Sequence, residues 1–186
     1  MTYGQVARRI RVPLGFVSAA VFLWLARPTW MSIGLGCLVA LPGLWLRAVA
    51  AGHVRKNAEL TTSGPYAYTR NPLYLGSILI ALGFAVAAYN PWIGVLLVAL
   101  FLAIYLPVIR SEEAYLRGAF PGFDDYARKV PRLLPRLTAA SFTAENDEPG
   151  SFSRELYRKH REYNALIGAG LMMLALVLKL LFIPQV

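Results

Sequence analysis

The sequence predicts an all-α fold, a polytopic membrane helix bundle of about five transmembrane helices with a cytoplasmic cap over one end. Three observations carry this. Hydrophobic residues make up 57% of the 186 and charged residues 16%, a balance that suits lipid better than water. Apolar runs at about 12–26, 30–51, 72–89, 91–109 and 164–183 lie mostly near the roughly 20 residues that a helix needs to cross the hydrocarbon core. The charges fall in blocks between these runs. Placing the N-terminus in the cytoplasm puts seventeen of the nineteen Lys and Arg on that side, with Arg27 and Lys179 the exceptions, as the positive-inside bias requires.

The first run is short. Its basic start resembles a signal peptide, but no small-x-small site follows, and Arg27-Pro28-Thr29 reads as a tight turn into the next helix. The second run holds Cys37, the sole cysteine, which excludes an intrachain disulfide and is expected as small core filler. Pro42 in this helix and Pro107 in the fourth each free a carbonyl and are expected to bend the bundle open toward the cytoplasm. On helix three, Ser77, Ala81 and Ala85 recur every four residues and give a face small enough for close approach of a neighbour. Tyr89-Asn90-Pro91-Trp92 makes a tight outer hairpin into helix four.

Residues 112–135 mix polar groups with Tyr115, Leu116, Phe120, Phe123 and Tyr126 and are expected to fold back over the bundle mouth. A linker, about 138–150, ends in Asp147-Glu148-Pro149-Gly150. The segment 153–163, basic beside Leu156 and Tyr157, suits a helix lying on the membrane surface. The last run is the fifth transmembrane helix, with Lys179 snorkelling near its outer end. The units are thus 1–137, a four-helix core with its cap; 138–163, linker and surface helix; and 164–186, the fifth helix. The net charge of +9 belongs to the inner face, where anionic headgroups attract it. No DNA-binding motif or basic-aromatic surface accompanies it, so membrane lipids are the expected contact and nucleic acid is not.

Helices two and three are joined by about twenty residues, a long connection for adjacent membrane helices. It carries Gly64-Pro65-Tyr66-Ala67-Tyr68-Thr69-Arg70-Asn71-Pro72-Leu73-Tyr74-Leu75-Gly76, and polar groups at the mouth of a membrane bundle are costly and therefore usually functional. Pro72 suits the first position of helix three, leaving a helix N-terminus with a partial positive charge that receives carboxylates or phosphates. Arg70 adds a planar, permanently charged fork for the same anion. The turn at Gly64-Pro65 brings Tyr66 and Tyr68 over the site, flat walls with hydroxyls for a purine or a ribose. Glu112-Glu113 directly follows the apolar run of helix four, where carboxylates oppose the helix dipole if the helix stops there. Glu113 can pair with Arg117 at i+4. Glu112 has no such partner and faces Arg70, His53, Arg55 and Lys56 as a cation or ribose ligand. His53 reads as interfacial, and His160 has no role assigned. No metal-ligand spacing, nucleophile elbow or phosphate loop is present.

The Gly-Pro-Tyr-x-Tyr-x-Arg-x-Pro-x-Tyr-x-Gly stretch, followed some forty residues later by Glu112-Glu113, Leu116, Phe120, Tyr126 and Val130-Pro131-Arg132-Leu133-Leu134-Pro135, resembles the isoprenylcysteine carboxyl methyltransferase and phospholipid methyltransferase family over about residues 44–136. The resemblance implies a cofactor-binding cap that holds S-adenosyl-L-methionine, and a lipophilic small-molecule or lipid-modified acceptor entering sideways from the bilayer. It implies that Leu60, Tyr66, Arg70, Asn71, Pro72 and Tyr74 line the cofactor pocket with Glu112 on the far side. Glu112, Glu113 and Arg132 become catalytic candidates, and Arg110 and Arg132 candidates for orienting the acceptor. Asn71 stands where the family has histidine, and Phe123 where a tyrosine is common. Asparagine hydrogen-bonds but carries no proton. A sulfonium methyl is already activated, so alignment and water exclusion, which supply roughly 7 to 11 kcal/mol, are the protein's main task. An amine acceptor also has a proton to lose, with Glu112 or Glu113 nearest. Two further classes stay open at this point: an NADPH-dependent sterol or ene reductase, and a non-enzymatic scaffold. In the second, Ala165 and Ala169 of helix five offer a contact face, which is also the route to a homodimer.

Overall fold

The computed structural model describes residues 17–55, 59–142 and 151–183, and their regular structure is helical throughout. Helix α1 covers 17–25. It is followed by α2 (Trp30–His53), a 3-10 turn (Gly64–Ala67), α3 (Pro72–Ala88), α4 (Pro91–Leu100), a π-turn (Phe101–Tyr105), α5 (Leu106–Ala119), α6 (Phe123–Lys129), α7 (Arg154–Lys159) and α8 (Tyr163–Phe182). Among the described residues three stretches are long and apolar enough to cross a membrane: α2, the continuous rod from Pro91 to Ala119, and α8. Helix α3, with 17 residues, is shorter and apolar. Of the first expected crossing only α1 is described; its start, Lys56 and the acidic end of the linker lie outside the described residues.

Helix α2 begins at a capping box. The Thr29 hydroxyl accepts from the Ser32 amide at 3.0 Å and the Ser32 hydroxyl accepts from the Thr29 amide at 2.9 Å, satisfying two donors that the helix itself leaves open. The two prolines act differently. Pro42 sits inside α2, which continues as one helix to His53. Pro107 directly follows the π-turn, where the Leu106 amide reaches back to the Phe101 carbonyl; the wider turn makes room for the pyrrolidine ring that a regular helix would crowd.

Helices α2 and α3 pack backbone to backbone. A Cβ at Gly43 would stand 2.7 Å from the Gly76 carbonyl, and one at Gly83 would stand 2.6 Å from the Gly36 carbonyl. The close face of α3 is therefore Gly76 and Gly83, not the expected Ser77, Ala81 and Ala85, which lie one residue further round and are only half-buried. Alanine is small, but only the absence of a side chain admits a carbonyl at this distance.

At the end where α1 turns into α2 and α3 into α4, Ala26, Ile33, Ala87, Ala88, Ile93 and Leu176 form a buried cluster. Polar ties reinforce it, with the Arg27 amide donating to Ala88 O (2.7 Å) and the Asn90 amide to Leu25 O (2.9 Å). Lys179 reaches the turn that ends α1. Its ammonium donates to Leu23 O and Ala26 O, each at 2.6 Å, because the last carbonyls of α1 have no partner within their helix and carry partial negative charge. Trp24, Trp30, Tyr89 and Trp92 are exposed around this end, as an aromatic belt at a membrane interface would be.

The opposite end carries the cap. Phe123, Tyr126, Val130 and Ala140 are its buried centre, with Leu60, Leu116, Ala127 and Phe142 packed around them. The strap 131–140 returns along the 67–70 segment: the Arg70 amide donates to Pro131 O (2.9 Å), that of Arg136 to Tyr68 O (3.0 Å) and that of Ala140 to Ala67 O (3.0 Å). The expected fold-back over the mouth is thus present. The 153–163 segment is not simply laid on a membrane surface, for α7 docks on the end of α2, whose exposed carbonyls draw the Ser153 amide to Gly52 O at 2.9 Å. Helix α8 packs on α2 and α3. Ala165 and Ala169 are half-buried on the stripe that leads to fully buried Leu176, so the face expected to meet a partner turns toward its own bundle.

Candidate functional site

The cap and the bundle meet on one carboxylate. Glu113 of α5 is 4% exposed. It accepts from Arg132 through Nη2 at 2.7 Å and Nε at 2.9 Å, stands 3.3 Å from Arg70 Nη2, and receives the Asn71 amide at 3.4 Å. The expected Glu113–Arg117 pair is not formed; Arg117 bonds Asp124 at 2.8 Å instead. The reason lies in the helix period. Ile109 and Leu116, four residues before and three after Glu113, lie on the same inward stripe, and Ile109 is fully buried. A carboxylate drawn inside needs buried cations, and the strap delivers Arg132 while the 64–76 motif delivers Arg70. Glu113 holds the Arg132 guanidinium above its ordinary value through this hydrogen bond.

Asn71 completes the joint. Its amide nitrogen also donates to Arg132 O at 3.0 Å, so the residue standing in the family's histidine position ties Glu113 to the strap. Buried Thr69 adds a donor bond to Leu133 O at 3.0 Å. The Nε of Arg70 is buried and has no partner among the described residues, an open donor beside a cluster that carries one positive charge in excess.

Glu112, one residue earlier and 100° round the helix, is exposed and lies close enough to the Tyr74 hydroxyl to interact with it electrostatically. Tyr74 therefore joins the first turn of α3 to the second motif. Its ring meets Tyr105 edge-on with centroids 5.7 Å apart, and Tyr105 belongs to the π-turn. Tyr66 is buried beneath the cap, where its carbonyl accepts from the Tyr126 hydroxyl at 2.8 Å. Burial pushes both hydroxyls well above the ordinary tyrosine range, and for Tyr66 the charges of Tyr126 and Glu112 add to it. Tyr68, expected over the site with Tyr66, turns out and is 39% exposed. Leu60 packs on the cap core, Pro72 is fully buried at the start of α3, and Phe123 lies in the cap core with Arg70 and Arg117 over its ring at 5.9 and 5.4 Å. Arg110 is exposed and makes no ion pair among the described residues.

A second polar joint escaped the sequence reading. Arg47 of α2 binds Glu162 in a fork–fork geometry, with Nη2 at 2.8 and 2.9 Å and Nε at 3.1 Å. Its remaining nitrogen donates to Ser77 Oγ at 2.5 Å and Leu73 O at 3.3 Å. The signal was a lone arginine inside an apolar run and a lone glutamate at the start of another, which in lipid seek each other.

The fold and these joints define a membrane helix bundle with a buried ionic site under its cap. Residues 43–122 match the model of the phospholipid methyltransferase family. The chain is also similar to the nickel-cobalt-cadmium resistance protein NccN of Alcaligenes xylosoxydans, 37% identical over 138 residues, covering 69% of this chain and 63% of that protein. It is 38% identical over 137 residues to the cobalt-zinc-cadmium resistance protein CzcN of Cupriavidus metallidurans, covering 69% and 62%. To the protein-S-isoprenylcysteine O-methyltransferase of Schizosaccharomyces pombe it is 36% identical over 91 residues, covering 48% and 38%. The chain thus spans less than two thirds of the length of these relatives. No solved structure gives a significant match.

Proposed function

We propose that the protein is an integral membrane methyltransferase that takes its methyl group from S-adenosylmethionine and delivers it to a lipophilic acceptor at the cytoplasmic face. The observation that carries this reading is the meeting of three separated segments, 64–76, 112–113 and 130–135, on the Glu113 carboxylate. The residues present fit the donor. Its carboxylate suits the open Arg70 Nε and the excess positive charge around Glu113, its adenosine suits the flat faces of Tyr66 and Tyr74, and its ammonium or ribose suits Glu112. When bound, the donor supplies an activated methyl on a sulfonium.

The chain's own residues then hold, align and exclude water. Glu113 is committed to two arginines and fixes the cap on the bundle. Glu112, exposed and outside the arginine cluster, is the carboxylate available to hold the donor or to take a proton from an amine acceptor. Asn71 holds Glu113 in place and moves no proton, so the step needs no histidine at this position. The lipid-facing side is formed by Tyr105 and Phe101, whose rings stack with centroids 6.1 Å apart, which suits lateral entry of an apolar chain. The arginine and lysine distribution supports a cytoplasmic orientation for this end. Among the described residues no group of three or more His, Cys, Asp or Glu could hold a metal.

Titration of detergent-solubilised protein with S-adenosylmethionine and with NADPH tests the reading. Binding of the first alone supports it. Binding of NADPH alone would transfer the site to a reductase, and binding of neither would leave a scaffold. Incubation of lipid extracts with radiolabelled donor then identifies the acceptor class.

A further inference from the structure

The segment from Phe152 to Glu162 lies outside the 43–122 family core, yet it reaches both walls of the site by independent routes. The first runs through Arg47. Its guanidinium makes five contacts: three to the Glu162 carboxylate and two to Ser77 Oγ and Leu73 O. Leu73 and Ser77 bracket Tyr74 in the first turn of α3, so the pair fixes the turn that presents Tyr74 to Glu112. Arg161, in the left-handed region at φ 52°, makes the bend that aims Glu162 at α2. A non-glycine residue stays in such a conformation only where its surroundings hold it there.

The second route runs through His53. The Phe152 ring seats against Gly52, where a Cβ would overlap it, and meets the His53 ring edge-on at 6.2 Å. His53 Nδ1–H donates to Val49 O at 2.8 Å, and the opposite side of the ring lies under Gly64, so close that a Cβ there would stand 2.6 Å from Nε2. Gly64, at φ 58°, opens the 3-10 turn that carries Tyr66. The Ser153 amide on Gly52 O and the His160 Nδ1–H on Ala51 O, at 2.9 and 3.1 Å, hold the segment to the end of α2.

We infer that the 152–162 segment is a positioning element of the donor site: Glu162 acts through Arg47 on the α3 turn that bears Tyr74, and Phe152 acts through His53 on the turn that bears Tyr66. This rests on the methyl-donor reading for its ligand, but the mechanical coupling has its own readout.

The test uses the full chain in detergent, with Glu162→Gln, Glu162→Asp, Phe152→Ala, and Glu155→Gln on the exposed side of α7 as control. Two quantities are read: hydrogen exchange across residues 64–77, and the dissociation constant and KM for S-adenosylmethionine against the KM for the acceptor. Glu162→Gln is expected to speed exchange at 72–77 and Phe152→Ala at 64–68. Each should weaken donor binding by between about ten- and a hundredfold, as misplaced positioning contacts do, with acceptor KM unchanged. Glu162→Asp should recover part of the loss and Glu155→Gln should match wild type. Unchanged exchange at 64–77 in both variants, or equal loss of donor and acceptor affinity together with a lowered melting point, would overturn the inference and leave a tie that only holds α8. Should wild type itself fail to bind S-adenosylmethionine, the donor reading falls. The exchange data would then still decide whether the segment positions the two walls.

Discussion

Replacing the two neighbouring glutamates by glutamine should have opposite consequences, and the size of the difference follows from their surroundings. The Glu113 side chain is 6% exposed and stands between Arg70 at 12% and Arg132 at 41%. Glutamine keeps the shape and loses the charge, while a guanidinium cannot lose its proton to compensate. Removing one partner of a buried pair costs about 3 to 5 kcal/mol. Arg132 can turn to water and adds little, and the glutamine oxygen still accepts one bond, so the low end of that range, about 3 kcal/mol, is expected for Glu113→Gln. Glu112 is exposed and has Tyr74 as its partner, so Glu112→Gln should stay within about 0.5 kcal/mol of wild type and abolish methyl transfer. Equilibrium unfolding in mild detergent, followed by far-ultraviolet circular dichroism, gives the first quantity, and donor titration the second. A neutral Glu113→Gln, or a Glu112→Gln that unfolds as readily as it, would refute the division of labour between the two carboxylates.

Gly43→Ala should destabilise the protein by about 1 to 3 kcal/mol, because its Cβ would stand 2.7 Å from the Gly76 carbonyl; Gly34→Ala, which meets nothing within 4 Å, should be neutral or gain up to about 1 kcal/mol of helix propensity, both read in the same unfolding experiment. Lys179→Met removes the donor that binds Leu23 O and Ala26 O and should cost about 1 to 3 kcal/mol, with exchange at the end of α1 accelerated. Alkaline pH tests the buried tyrosines. Tyr66 and Tyr126 are both pushed above their ordinary 10.0, so above pH 10 the native state keeps protons that the unfolded chain releases, and stability falls as pH rises. The slope reaches at most about 1.4 kcal/mol per pH unit for each tyrosine, and Tyr126→Phe should make it shallower.

The membrane bundle was legible because hydrophobicity is a property of long runs, and averaging over about twenty residues hides no geometry. Helices α2, α3, the Pro91–Ala119 rod and α8 lie where the apolar runs place them. The first motif was legible for a related reason: Pro72 at the start of a helix and a turn at Gly64-Pro65 are local chemistry, whereas the carboxylate pair read at a helix end lies inside α5, which runs on to Ala119. What local chemistry does not contain is the return of the strap. Nothing in residues 131–140 announces that their backbone will accept from the Arg70 amide and donate to Tyr68 and Ala67, and that return is what carries Arg132 to Glu113.

Adjacent residues with identical side chains were therefore the hardest to separate. Glu112 and Glu113 differ in sequence only by position, yet 100° of helix rotation sends one toward Tyr74 and the other among Ile109, Arg70 and Arg132. Pairing Glu113 with Arg117 fails because an i+4 surface pair gains only about 0.2 to 0.5 kcal/mol, far too little to draw toward itself a carboxylate that the apolar stripe of α5 carries inward. The same comparison explains Arg47. Inside a spanning helix an arginine with no partner is costly enough to outrank any local preference, and a partner 115 residues away is found. In this fold the polar side chains of the spanning segments are ordered by the cost of leaving them unpaired. The sites where two or more such demands are met together, at Glu113 and at Arg47, are the sites that tie separate segments of the chain together.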